Sequence, residues 1–153
     1  MRFISQMNLA IAEAKKASIA GEVPVGAVIV DKRGKVVASE GNRTRRDLDP
    51  TAHAEILAIR KAAKIIGNDR LVGCTIYVTL EPCAMCAGAL AHARVAKVIY
   101  GAPDPKSGGV EHGAKVFLHS QSHHRPEVIG GILEVACSTL MSEFFSKRRS
   151  KDW

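Results

Sequence analysis

The sequence predicts an α/β protein in which helices cover both faces of a central mixed sheet of about five strands, forming a three-layer α/β/α sandwich. Two observations support this fold class. Segments with the apolar spacing of helices alternate with short strand-like segments along the chain. One of these, residues 25–30, is apolar throughout, as expected for a strand that is covered on both faces.

The first half of the chain is predicted to form a helix, a β-hairpin and a second helix. These elements cover residues 3–20, 25–30, 35–40 and about 52–66. Gly21 and Pro24 end the first helix, because both residues disfavour its continuation. Thr51 is a suitable N-cap for the second helix. The buried face of this helix is expected to contain Ile56, Ile59, Ala63 and Ile66.

The second half is predicted to continue with a strand, a helix, a strand, a long loop and a last helix. These elements cover residues 74–80, 82–93, 95–100, 101–113 and 132–145, and the short segments 116–118 and 127–129 stay unassigned. Pro82 suits the first turn of its helix, where the missing N–H costs nothing. A basic tail begins at about residue 146 and includes Lys147, Arg148 and Arg149.

Composition limits the class of protein and its partners. The chain has 153 residues, of which 46% are hydrophobic, and its formal net charge is +7. This length fits one domain, so residues 1–153 are expected to form a single domain. No apolar run approaches the roughly 20 residues that cross a bilayer, and charged residues such as Glu13 exclude a signal peptide, so we expect a cytoplasmic location. The positive charge suits a polyanion such as nucleic acid as a partner.

Two motifs predict a metal centre with an open position. Cys83 and Cys86 are three residues apart at the start of a predicted helix, where both can reach one ion. His53 supplies a third ligand from the start of another helix. Two thiolates and one imidazole favour zinc. A zinc ion held by three protein ligands keeps its fourth position for water, which is typical of catalytic sites.

Glu55 is the candidate catalytic residue beside this metal centre. It follows His53 by two residues, so it is too close in sequence to act as a fourth ligand on the same face. A carboxylate beside a metal-bound water can act as a general acid and base. Zinc lowers the pKa of such a water to about 7, so the site predicts a hydrolase that works at neutral pH.

Two other uses of these cysteines stay open at this stage. A Cys-x-x-Cys that follows a strand and opens a helix is also typical of thioredoxin-like redox pairs, although that function would leave His53 and Glu55 unexplained. A purely structural zinc would need a fourth protein ligand. The candidates for that ligand, which do not lie at the usual spacing, are Cys74, Cys137, His92 and His112.

Six segments together carry a resemblance to a known family. They are residues 22–28, 42–43, 49–55, 79–89, 101–108 and 144–149. Two of them contain the pattern His-x-Glu followed by Pro-Cys-x-x-Cys, with the residues His53, Glu55, Pro82, Cys83 and Cys86. In these segments the chain resembles the cytidine/deoxycytidylate deaminase superfamily and, within it, the bacterial tRNA-specific adenosine deaminases.

The resemblance implies a zinc-dependent homodimer that converts adenosine to inosine at the wobble position of tRNA, typically in the anticodon stem-loop of tRNA-Arg. In this reaction a zinc-bound hydroxide attacks C6 of adenine, and ammonia is released. Glu55 would carry protons from the water to the ring nitrogen and to the departing amine. An anticodon loop suits this chemistry, because its unstacked bases can reach a buried site at low cost.

The resemblance also implies a set of substrate contacts. The residues concerned are Asn42, Ala54, Asp104, Lys106 and Arg149. Asn42 would hydrogen-bond the purine, the Ala54 backbone N–H would help to hold the base, and Asp104 would lie near the flipped nucleotide. Arg43, Arg45 and Arg46 are further candidates for contacts with phosphate.

Two rival functions remain. A deaminase of a free base or nucleoside, such as guanine or cytosine, would use the same zinc core but would need no basic surface. A non-catalytic RNA-binding module would keep the zinc for structure alone. Deamination of RNA distinguishes the first rival, and dependence of ammonia release on Glu55 distinguishes the second.

Overall fold

The structure is a computed structural model that describes residues 2–149, with the side chains of residues 2–148. Its elements occur in the order helix, two strands, helix, strand, helix, strand, short 3-10 helix, strand and helix. They are α1 (Arg2–Ile19), β1 (Gly26–Val30), β2 (Val36–Gly41), α2 (Ala54–Ile66), β3 (Thr75–Leu80), α3 (Ala84–Ala93), β4 (Lys97–Ala102), the 3-10 helix (Val116–Leu118), β5 (Glu127–Ile129) and α4 (Glu134–Arg149).

One five-stranded mixed sheet forms the centre, in the order β2-β1-β3-β4-β5. The strand β1 runs antiparallel to both of its neighbours, whereas β3, β4 and β5 are parallel to one another. The helix α3 connects β3 to β4, as a parallel pair requires. The predicted α/β class with a mixed sheet of about five strands is confirmed.

Side chains alternate between two cores along the central strands. On one face, Ile76 and Val78 of β3 pack with α2 and α3. On the other face, Tyr77 packs with α1 and with the start of α4. The approach of α1 is so close that a Cβ on Gly26 would lie 1.9 Å from the carbonyl oxygen of Ala10. Helices therefore cover both faces of the sheet, as the apolar run in residues 25–30 predicted.

Several predicted helix boundaries were wrong. His53 occupies the N-cap of α2, whereas Thr51 bonds to the Asp49 carboxylate instead. Pro82 lies before the N-cap of α3 rather than in its first turn. In front of α4, Leu133 has a φ of 54°, and this left-handed conformation keeps it outside the helix.

The buried face of α2 also differs from the prediction. Its fully buried apolar residues are three alanines, Ala54, Ala58 and Ala62. Of the predicted residues, Ile59 and Ala63 are partly buried against the core, whereas Ile66 is 40% exposed. Small side chains let a helix approach a sheet closely, so this face carries less bulk than helical spacing of isoleucines suggested. No helix in residues 2–149 is both long enough and apolar enough to cross a membrane.

Candidate metal centre and its pocket

The structure brings the three predicted metal ligands together. Nδ1 of His53 lies 3.7 Å from Sγ of Cys83 and 3.5 Å from Sγ of Cys86. All three ligand atoms lie within 4.8 Å of one another. One imidazole nitrogen and two sulfurs converging in this way form a suitable donor set for zinc.

Two helix N-termini position these ligands. His53 is the N-cap of α2, and Cys83 is the N-cap of α3 with Cys86 in its first turn. Both helices pack on the same face of the sheet, since Ala58 of α2 and Leu90 of α3 belong to the same core. Helix N-termini carry partial positive charge, so both stabilise thiolates.

Hydrogen bonding among the ligands favours a thiolate. The Cys86 thiol contact lowers the pKa of Cys83 to about 4, and the neighbouring His53 contributes in the same direction. The contact with Cys83 raises the pKa of His53. The thiolate form of Cys83 is therefore favoured, whereas the contact with Cys83 raises the pKa of the Cys86 thiol. A bound cation would displace the protons of Cys86 and His53, since metal ligands bind in their deprotonated forms.

The remaining candidates for a fourth ligand stand apart from this cluster. Within the described side chains, the group that could hold a metal contains only His53, Cys83 and Cys86. Nδ1 of His112 instead lies 2.7 Å from a carboxylate oxygen of Glu81. Cys74 and Cys137, also candidates for a fourth ligand, are buried among the apolar residues of the two cores. This arrangement favours an open coordination position over a closed structural site.

Glu55 lies in the first turn of α2 beside His53 and is only 3% exposed. Burial raises the pKa of its carboxyl to about 7. A carboxyl with a pKa near the working pH can both accept and donate a proton, which is what general acid–base catalysis requires.

A cavity of about 220 Å³ opens above the metal ligands. Its wall includes apolar side chains and polar groups, and its lining residues are Val23, Val25, Asn42, Thr44, His53, Glu55, Leu80, Glu81, Cys83, Asp104 and Ser107. Because one water occupies about 30 Å³, the cavity has room for several waters and therefore for a small ligand group.

Asn42 lies in the wall of this cavity and is bonded to the backbone of Ala54. The Ala54 backbone N–H donates to Oδ1 of Asn42 at 2.7 Å, and Asn42 is 7% exposed. That N–H, expected from the resemblance to face the base, is thus engaged by Asn42. The bond orients the Asn42 side chain, so that its Nδ2 is the donor available to a ligand.

The loop after β4 forms another part of the wall. The Asp104 carboxylate accepts backbone N–H groups of Lys106 and Ser107, at 3.2 and 2.9 Å. Asp104 and Ser107 line the cavity, whereas Lys106 lines an adjoining groove. Arg149 ends α4, and its side chain lies outside the described part of the structure.

The adjoining groove runs from the cavity along α4. It measures about 760 Å³ and shares Leu80, Asp104 and Ser107 with the cavity. Met141 and Phe145 of α4 form its far side. Phe145 is 44% exposed there and presents an aromatic ring to solvent.

The basic loop before α2 is held by a buried carboxylate that the sequence analysis missed. Glu22 is completely buried and accepts the backbone N–H groups of Arg45 and Arg46. Nε of Arg46 also lies 3.5 Å from Glu22, and Nε of Arg43 lies 3.0 Å from Asp47. Part of the predicted phosphate-binding charge is therefore already paired within the chain.

The buried carboxylate of Glu22, which holds this loop, makes the stability of the protein depend on pH. Burial raises the pKa of Glu22, but the hydrogen bonds from Arg46 and Arg45 and the Arg46 charge lower it further, so that the net shift is downward from 4.5. The stabilisation is therefore complete above pH 4.5 and disappears as pH falls through the lower folded-state pKa. We expect Glu22→Gln to destabilise the protein by about 2 kcal/mol at pH 7.

Urea unfolding of Glu22→Gln and of the wild type at pH 7 and at pH 3 measures this effect. The difference between them should be smaller at pH 3, which lies below the ordinary glutamate pKa of 4.5, because the unfolded chain then binds a proton that the folded carboxylate resists. Glu13→Gln is the matched control, because Glu13 makes a surface ion pair with Lys16 that contributes little. A pH-independent difference would contradict the role of the charge.

A second carboxylate missed by the sequence analysis, Glu81, stands between β3 and the metal-binding turn. Burial raises its pKa, but hydrogen bonds from Asp104, His112 and Glu111 lower it overall. Both missed residues are carboxylates next to apolar segments, and this is the sequence signal that could have identified them.

Comparisons with known proteins agree with this geometry. Residues 4–102 match the model of the cytidine and deoxycytidylate deaminase zinc-binding region. A tRNA-specific adenosine deaminase from Agrobacterium fabrum is 47% identical over 95% of both chains. A solved structure from a study of A-to-I editing by tRNA:A34 deaminases at the wobble position has a TM-score of 0.87 and 48% identity, covering 89% of this chain and 98% of that one.

A relative with another substrate also has a similar structure. A guanine deaminase from Bacillus subtilis is 42% identical, with a TM-score of 0.63, but the match covers 65% of this chain and 63% of that one. The similarity to the tRNA-specific relatives thus extends over more of the chain, including residues beyond the zinc-binding region.

Proposed function

The chain belongs to the family of cytidine and deoxycytidylate deaminases, and from this premise we propose that it deaminates adenosine to inosine at the wobble position of tRNA. The observation that carries this proposal is the near full-length identity to tRNA-specific adenosine deaminases, 47% over 95% of the chain. The cavity and its adjoining groove fit this function, because one base must leave its stack to reach the metal ligands.

The three converging side chains would hold the zinc ion on which this family depends. His53, Cys83 and Cys86 supply the donor atoms. When bound, zinc lowers the pKa of water and so provides a nucleophile at neutral pH. Glu55 would take one proton from the attacking water and pass it to the ring nitrogen beside C6. It would then carry the proton of the new C6 hydroxyl to the amine, so that the C6–N bond breaks, C6 becomes a carbonyl and ammonia leaves. Nδ2 of Asn42 donates a hydrogen bond to the base.

The groove along α4 favours tRNA over a free base as the substrate. A free base would fill the cavity and leave the groove empty. A nucleotide in an RNA loop has neighbouring nucleotides, and the groove offers them a binding surface. Phe145 offers a stacking surface for such a neighbour. We assign Asp104 and Lys106 to contacts beside the flipped nucleotide, and Arg149 to a contact with the RNA backbone. The anticodon stem-loop of tRNA-Arg is the proposed substrate.

Self-association is the other part of the proposal. The helix α3 presents a partly exposed apolar surface that includes Met85, at 39% exposure, and Ala89. A helix that is apolar on nearly all sides is usually covered, and a second copy of the chain would cover this one. We propose a homodimer of single-domain chains of residues 1–153, acting in the cytoplasm where tRNA is found.

Activity on RNA and its dependence on salt test the proposed substrate. The purified protein should convert adenosine to inosine in an anticodon stem-loop of tRNA-Arg, measured by mass spectrometry of the digested RNA. Binding should weaken by about 0.7 log units per phosphate contact for each tenfold rise in salt.

The same loop with guanosine at the wobble position controls for non-specific release of ammonia. Rapid turnover of free adenosine, guanine or cytosine without any reaction on RNA would favour a deaminase of small substrates. Binding of the loop without any deamination would favour a non-catalytic RNA-binding module.

A further inference from the structure

Glu81 connects two parts of the site that are far apart in sequence. It directly follows β3 and precedes Pro82 and Cys83, and its carboxylate is completely buried. A buried carboxylate needs several hydrogen-bond donors, because it has lost its hydration. Here every donor comes from the loop that follows β4.

The two carboxylate oxygens bind different parts of this loop. Oε1 accepts the Asp104 N–H at 3.0 Å and lies 2.7 Å from Nδ1 of His112. Oε2 accepts the N–H groups of Val110, Glu111 and His112, at distances from 2.8 to 3.1 Å. One side chain thus fixes the beginning and the end of the loop that carries Asp104, Lys106 and Ser107.

Close packing attaches the same loop to the metal-binding turn. The Gly109 N–H donates to the Pro82 carbonyl at 2.8 Å. A Cβ on Gly109 would lie 2.5 Å from the backbone nitrogen of Ala84, and one on Gly108 would lie 2.6 Å from the Glu81 carboxyl carbon. The loop therefore lies directly against the start of α3, with no room for larger residues.

We propose that Glu81 is a positioning residue for substrate binding. It holds the wall formed by Asp104 and Ser107 at a fixed distance from the metal ligand Cys83, so that the flipped nucleotide meets a preformed cavity. This inference rests on the proposed function and adds a residue that acts through the loop rather than through contact with the reacting atoms.

Glutamine at this position would break one part of the network selectively. An amide offers one oxygen as acceptor and one NH₂ as donor. The glutamine oxygen can replace Oε2 and accept the N–H groups of Val110, Glu111 and His112. Its NH₂ group then replaces Oε1. It can donate to Nδ1 of His112, but it cannot accept the Asp104 N–H, so that bond is lost. The beginning of the loop is then released while the end stays bound.

Steady-state kinetics on the anticodon stem-loop measure this release. We expect Glu81→Gln to raise KM about tenfold and to change kcat less than about threefold, because the loop binds ground state and transition state alike. The zinc content should equal that of the wild type. A fold defect would instead lower kcat in proportion to the inactive fraction and leave KM unchanged.

Glu111→Gln is the matched control. The Glu111 carboxylate lies in the same loop but accepts from the Tyr100 hydroxyl, and a glutamine oxygen can accept that bond equally well. Its KM should stay within about twofold of the wild-type value. Hydrogen exchange should accelerate at the Asp104 amide in Glu81→Gln and not in Glu111→Gln.

The outcomes separate this inference from the proposed function. If the wild type makes inosine and Glu81→Gln has an unchanged KM, the positioning role is wrong and the function stands. Loss of zinc in Glu81→Gln would also overturn it, since the residue would then support the metal ligands. If the wild type makes no inosine, the proposed function fails, and exchange at Asp104 still tests the anchoring.

Discussion

Glu55→Gln will abolish ammonia release while the protein stays folded and retains its zinc. The glutamine has nearly the same shape as the glutamate that it replaces in a site only 3% exposed, so packing is preserved. Its amide cannot accept and return a proton, and the carboxyl with its raised pKa is the group placed to do so. The expected loss is about 1,000-fold or more in kcat, at the upper range of general acid–base contributions.

Ammonia release from the stem-loop, zinc content and the urea unfolding midpoint should be measured together. Glu40→Gln is the matched control, because Glu40 forms a surface ion pair with Lys61 outside the cavity. It should keep wild-type activity. Substantial turnover by Glu55→Gln would show that another group moves the protons.

His53→Ala and Cys86→Ala should each lose metal and activity together. Either change leaves two ligands from a converging set of three, and two ligands hold zinc far more weakly. We expect zinc to fall from one ion per chain to below about 0.1 after dialysis, with a loss of activity of about 1,000-fold or more. Inductively coupled plasma mass spectrometry and the inosine assay measure the two quantities.

Cys74→Ala provides the comparison, since it removes a thiol that is equally buried but lies outside the ligand cluster. This variant should keep its zinc even if its core is less stable. Full activity in a His53→Ala protein without metal would refute the proposed chemistry, including the role of Glu55.

The metal centre could be predicted from sequence because its parts are local. Two ligands lie in one helical turn, and His53 and Glu55 begin another helix, so short spacing predicts each half of the centre. The two halves lie 30 residues apart, and the pattern His-x-Glu followed by Pro-Cys-x-x-Cys connects them. The roles of Glu22 and Glu81 could not be predicted in this way. Their partners lie more than 20 residues away, and only the folded loops show which N–H groups each carboxylate binds.

The fold class could also be predicted from the sequence, but the details of side-chain packing could not. The apolar run in residues 25–30 predicted a strand covered on both faces, and the two cores confirm it. His53 rather than Thr51 is the N-cap of α2, because the loop before the helix bonds Thr51 to the Asp49 carboxylate. The alanine face of α2 depends on how closely the helix approaches the sheet, which helical spacing does not encode.

The distribution of the site over the two helical layers has an evolutionary consequence. The metal ligands and Glu55 lie at the starts of α2 and α3, whereas the groove that we assign to the neighbouring nucleotides is bordered by α4, which begins on the opposite layer. Mutations in α4 can thus accumulate without disturbing the reaction centre, since changes at well-separated positions combine almost independently. A lineage with this architecture can exchange one substrate for another and keep its chemistry intact throughout the transition.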